Sequence, residues 1–277
     1  CEVDPAPVAP QNPGTIESLL NTPPQPMSED CLFLNVFTPA GAGTGDSYPV
    51  LVWVHGGAYL NGSGATPWYD GSNLARHGAV VVTINYRLGA LGFLGDNNWG
   101  IGDQINALRW VRSHIGHLGG DSRNITIFGE SAGGSSVLSL MAAPETSVLI
   151  ERAVAMSPSI GQLRSRETAE RMSAEFRAEL GEDPKHAPLD AILAAQLRVA
   201  SKPGYGFTSF SPTNGGSHLP ADILDAVAKS EVPLMIGTTK DENRLFNAFD
   251  PVAGNIDRDG AINRIAATFN DRASAVY

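Results

Sequence analysis

Asn124-Ile125-Thr126-Ile127-Phe128-Gly129-Glu130-Ser131-Ala132-Gly133 is the stretch that decides the fold. Its first half is a short β-branched run that reads as a buried strand, and from Ala132 to Met141 small residues read as a helix. The pentapeptide Gly129-Glu130-Ser131-Ala132-Gly133 joins the two as a sharp turn. Its glycines lack the Cβ atoms that would clash there, which leaves the serine hydroxyl exposed at the edge of the sheet. G-x-S-x-G by itself arises readily by coincidence in a chain with 30 glycines. Its place between strand and helix is what separates Ser131, as candidate nucleophile, from an ordinary glycine-rich turn.

Outward from this point the same alternation continues. Val50 to Val54 and Ala79 to Asn85 are continuous apolar runs of the kind buried on both faces of a sheet. Cys31 to Phe37, Ala153 to Met156 and Val232 to Gly237 read as further strands. Asp103 is the expected N-cap of a helix running to about His117. Arg164 to Leu180 is helical by pattern, with Met172, Phe176 and Leu180 along one side, and Leu219 to Lys229 repeats the theme. Strands separated by helices predict an α/β fold with a parallel sheet covered on both faces. Residues 1–27 hold seven prolines and no aromatic side chain, and read as an irregular surface loop.

With 277 residues, 42% of them hydrophobic, the chain can bury a large core. The formal charge of −10 and the lack of any basic cluster exclude nucleic acid as an expected partner. No apolar run approaches the ~20 residues of a membrane-spanning helix, so no span is expected. The first residue is Cys1, so any targeting segment is expected upstream. Three states are open to the two cysteines: a Cys1–Cys31 bridge, two free thiols, or a lipid-modified Cys1.

Acyl transfer needs donors for the oxyanion of a tetrahedral intermediate, ideally backbone N–H groups. His55-Gly56-Gly57-Ala58 follows a strand directly, and its glycines let the backbone approach a substrate closely. The N–H groups of Gly56 and Gly57, with that of Ala132, are the candidate oxyanion hole. A carboxylate that orients the base is sought past the last strand, where Lys240-Asp241-Glu242 lies. Glu242 is preferred to Asp241, although position alone does not separate them, and a solvated acidic turn is the plainer reading.

Several segments in order resemble the type-B carboxylesterase (cholinesterase-like) family of α/β-hydrolases. They are Ser28 to Val36, His55-Gly56-Gly57-Ala58-Tyr59, Asn85-Tyr86-Arg87-Leu88-Gly89, Gly119-Gly120-Asp121, Gly129 to Gly134, and Gly237-Thr238-Thr239-Lys240-Asp241-Glu242. The resemblance implies an α/β-hydrolase domain over 1–277, its mostly parallel central sheet flanked by helices and incomplete at the C-terminus. It implies Ser131 as nucleophile, Gly56, Gly57 and Ala132 as oxyanion donors, Glu242 as triad acid, a small-molecule carboxylic ester as substrate, and neither cofactor nor metal. It leaves the oligomeric state open. It also implies that Cys1 and Cys31 form the family's first disulfide, closing a surface loop over residues 1–31, and hence a secreted or periplasmic protein.

The departures from the family pattern matter equally. Asn243 stands where the family usually has glycine, and Met156-Ser157-Pro158 where it usually has Gln-Ser-Gly. Residues 2–30 carry no aromatic side chain to receive a quaternary ammonium, so choline esters are not expected as substrates. None of residues 243–277 is a histidine. The base is therefore expected beyond Tyr277, and the chain as given is expected to be nearly inactive. His55 reads as structural, and His77 and His186 as solvent-facing. His114 and His117 share a helix face without further metal ligands, and His218 precedes Glu242, the wrong order for this family's triad. The alternative function is a non-catalytic cholinesterase-like binding or adhesion module on the same fold.

Overall fold

A computed structural model describes residues 6–202, 205, 209–242, 244–248, 256–260 and 262–263. Residues Cys1–Gly237 form one compact unit and Thr238–Tyr277 a second. The strands are β1 (Leu34–Phe37), β2 (Tyr48–Val54), β3 (Val80–Ile84), β4 (Gly120–Glu130), β5 (Arg152–Met156) and β6 (Leu234–Gly237). The helices are α1 (Thr15–Leu19), α2 (Ser72–Arg76), α3 (Gly89–Phe93), α4 (Trp99–His114), α5 (Ala132–Ala142), α6 (Arg166–Leu180), α7 (Leu189–Ala200), α8 (Ile223–Ala228) and α9 (Arg244–Ala248).

The strand order is β1-β3-β2-β4-β5-β6, antiparallel between β1 and β3 and parallel elsewhere. This is the mostly parallel, helix-flanked sheet expected. Val50, Val52 and Val54 of β2, Val80, Val82 and Ile84 of β3, and Ile125 and Ile127 of β4 are fully buried, in one core with Ile101, Ile105 and Leu108 of α4 and Leu138 and Leu140 of α5. Register then aligns the strand ends. Val54 pairs with Gly129, so the residues that follow β2 emerge beside those that end β4.

Several expectations are corrected. Residues 1–27 include the single helical turn α1. Asp103 does not cap α4 but sits inside it, buried, where its carboxylate accepts hydrogen bonds from the backbone N–H of Arg87 at 3.0 Å and from the guanidinium at 2.7 and 2.8 Å. A charged donor pair outweighs a cap. Helix α4 starts at Trp99 instead, behind Asn98, whose side chain is held by Thr213 and Ser217. Helix α6 starts at Arg166 because Ser165 accepts from the Thr168 N–H, and α8 starts at Ile223 because Asp222 accepts from that of Asp225.

The Cys1–Cys31 bridge is also corrected. Cys31 is a free thiol with no solvent exposure, and Cys1 lies outside the described residues. Burial first, and the nearby Asp103 carboxylate second, push the Cys31 thiol up to about 11, so it stays protonated and packs as a small apolar side chain. The inference of export, which stood on that bridge, loses its basis.

Candidate active site

Ser131 sits at φ 58°, ψ −120° between β4 and α5. A serine with positive φ is strained, and it persists only where its surroundings leave no other path. Those surroundings are backbone packed against backbone. A Cβ on Gly133 would lie 2.1 Å from the Val54 carbonyl oxygen, and one on Gly129 2.5 Å from the Gly133 carbonyl carbon. The Ser131 N–H donates to the Met156 carbonyl at 2.9 Å, and the Ser131 carbonyl accepts from the Ser135 N–H at 2.9 Å. Strand β5 thus holds one side of the turn and α5 the other. Ala132, fully buried, is the first residue of α5, where N–H groups have no partner within the helix and the helix dipole favours negative charge.

The loop after β2 lies against this turn. A Cβ on Gly56 would be 2.8 Å from the Glu130 carbonyl oxygen and 3.3 Å from the Ser131 Cβ. Three successive carbonyls in the loop are tied down. The His55 carbonyl accepts from the Tyr86 hydroxyl at 2.8 Å, and the Gly56 carbonyl from the His55 ring at Nδ1, also 2.8 Å. The Gly57 carbonyl accepts from the N–H groups of Leu60 and Asn61. In a trans peptide the C=O of one residue and the N–H of the next point in opposite directions. Each tie therefore aims the N–H of Gly56, Gly57 and Ala58 in turn.

The acceptor at Nδ1 is a carbonyl, so the His55 proton resides there. Complete burial drops the imidazole to about 4, partly opposed by that hydrogen bond, and the ring stacks on Tyr86 with centroids 4.4 Å apart. It is a neutral support for the loop. Tyr86 stood within a quoted motif, but nothing in the sequence marked its hydroxyl as the anchor of the His55 carbonyl.

Glu242 belongs to the second unit, exposed, with its carboxylate accepting from the Thr239 N–H at 2.6 Å, while neighbouring Asp241 pairs with Arg244 at 3.7 Å. His218 Nδ1 is 2.9 Å from Glu145 in the turn beyond the far end of α5. Eleven residues of helix separate that turn from Ser131, a distance of about 16 Å. His77, His114, His117 and His186 are exposed, and among the described residues no group of three or more His, Cys, Asp or Glu could hold a metal ion. No helix of the described residues is long and apolar enough to cross a membrane.

Comparison with known proteins agrees with the architecture. The family model described as the carboxylesterase family matches residues 4–271. The para-nitrobenzyl esterase of Bacillus subtilis (strain 168) is 42% identical over 259 residues, covering 86% of this chain and 52% of its own. Among solved structures, a Geobacillus stearothermophilus carboxylesterase superposes with a TM-score of 0.80 at 41% identity, over 87% of this chain and 53% of its own. A thermophilic para-nitrobenzyl esterase gives 0.84 at 34% identity, over 98% and 59%. The chain spans about half the length of the relatives it matches.

Proposed function

Because the chain belongs to the carboxylesterase family, we propose that it serves the hydrolysis of small carboxylic esters through an acyl-enzyme on Ser131. The Ser131 Oγ attacks the ester carbonyl carbon and its proton passes to a base. The N–H groups of Gly56, Gly57 and Ala132 receive the oxyanion, and collapse expels the alcohol. Water then repeats the sequence on the acyl group and releases the acid. Glu242 is the acid that orients the base.

The single observation that carries this reading is the position of Gly56 against a strained serine, within a loop whose carbonyls are fastened so that its amides are aimed before any substrate arrives. Preorganised amides of this kind contribute about 10²–10³ in rate per donor. We assign the base to none of the chain's six histidines: His55 is buried and neutral, and His218 lies a helix length away. The 277 residues alone are expected to show only residual catalysis, about 10³–10⁴ over water.

A fluorophosphonate probe on the protein expressed from its whole gene tests the reading. Covalent label on Ser131 that disappears in Ser131→Ala supports it. An unlabelled wild type favours the non-catalytic binding module instead.

A further inference from the structure

Four side-chain carboxamides converge on the segment Gly62–Ala65, just beyond the oxyanion loop. The Asn85 Oδ1 accepts from the Gly64 N–H at 2.9 Å and from the Ser63 hydroxyl at 3.2 Å, the Asn35 Nδ2 donates to the Gly64 carbonyl at 3.3 Å, and the Gln25 Nε2 donates to that of Ala65 at 3.0 Å. The grip on Gly62 comes from Gln11, 51 residues away in sequence. Its Oε1 accepts from the Gly62 N–H at 2.7 Å, and its Nε2 donates to the Gly62 carbonyl and to the Ala9 carbonyl, both at 3.0 Å. One carboxamide thus engages the whole backbone polarity of one residue.

Gly62 is the residue through which such a grip reaches the site. Its φ is +107°, and a Cβ there would lie 2.5 Å from the Gly56 carbonyl oxygen and 2.5 Å from the His55 Nδ1. Its backbone is pressed onto the hydrogen bond that aims the Gly57 N–H. The segment carrying Gln11 is itself anchored, by the pairing of Val8 with Met27 and by the Asn12 Nδ2 donating to the Leu193 carbonyl at 3.2 Å.

We propose that Gln11 is a positioning residue for the oxyanion loop, acting through Gly62. The proposal rests on the assignment of Ser131 and the Gly56–Gly57 amides made above. A carboxamide is required because it donates and accepts at once. An ionised glutamate would set a second acceptor against the Gly62 and Ala9 carbonyls, and a leucine would offer neither group.

The test uses the protein expressed from its whole gene, as wild type, Gln11→Leu and Gln11→Glu. Hydrogen–deuterium exchange is read by mass spectrometry, and turnover with a p-nitrophenyl ester. In Gln11→Leu, loss of the two neutral hydrogen bonds to Gly62 predicts about tenfold faster exchange in peptides covering residues 55–62, with β4 and α5 unchanged. It also predicts kcat lowered about tenfold at little-changed KM, because the amides act on the transition state. The glutamate variant, close in shape, guards against a leucine variant that fails to fold. Wild-type exchange at 55–62 in both variants overturns the clamp. Faster exchange with unaltered kcat overturns its role in positioning. A wild type that neither turns over ester nor takes the fluorophosphonate on Ser131 overturns the esterase reading, and the exchange data still judge the clamp.

Discussion

His55 lies wholly inside the protein with its Nδ1–H on the Gly56 carbonyl, and desolvation holds the ring at about 4 against an ordinary 6.5. Since the unfolded chain takes up the proton first, stability is full above pH 6.5 and is lost as pH falls from there towards 4. The linkage amounts to about 3 kcal/mol over that window. Urea midpoints measured between pH 7 and 4 should fall accordingly, and the His55→Asn variant should lack that share of the slope, whatever the carboxylates add to both proteins. Parallel profiles for the two would show that His55 is not buried and neutral. The same ring supports the aim of the Gly57 amide, so acid should disorder the oxyanion loop before it unfolds the sheet.

The strand–turn–helix of β4 and α5 works because two elements meet without side chains between them. Gly133 brings the start of α5 onto the Val54 carbonyl, and a methyl at 2.1 Å from that backbone oxygen has nowhere to go. Gly133→Ala is expected to cost about 3 kcal/mol by forcing α5 off the end of β2, measurable as a lowered denaturant midpoint, and to lose any Ser131 labelling. A near-wild-type Gly133→Ala would mean that the turn is looser than this packing requires. Elements of this kind were legible in sequence: the apolar runs of β2, β3 and β4 and the small residues of α5 announce themselves by composition. Helix α7 is absent from the sequence reading, although its Ile192, Leu193 and Val199 are buried. Asp103 looked like a cap because its partner Arg87 comes from another element, and a long-range ion pair leaves no local trace. The site divides the same way. Ser131 and the glycines of the loop are marked by local spacing, whereas Tyr86 and Gln11 act by binding distant backbone carbonyls and amides, which no residue type advertises.

In a chain of net charge −10, Arg164 is a cation held in the interior of the first unit. Arg164 is 2% exposed, and burial alone pulls its guanidinium down to about 10, so it remains charged at neutral pH. No carboxylate pairs with it among the described residues. Neutral oxygens from segments far apart in sequence surround it instead: the Phe93 carbonyl at 2.6 Å, that of Ser209 at 2.9 Å, the Thr213 hydroxyl at 3.2 Å and the Gly95 carbonyl at 3.3 Å. Arg164 thereby joins the end of α3, the approach to α6 and the stretch before α8. Two effects compete when it is removed. The desolvation of an unpaired cation is relieved, which favours an apolar substitute, and buried oxygens lose their donors, which opposes it. Four acceptors drawn from two distant segments make the second effect the larger. Arg164→Met should therefore destabilise by about 3–5 kcal/mol, and Arg164→Lys by less, since one ammonium reaches only some of the acceptors. Urea unfolding of both variants decides the matter: an Arg164→Met protein as stable as wild type would mean that the relief of desolvation prevails and that these segments hold together without the guanidinium.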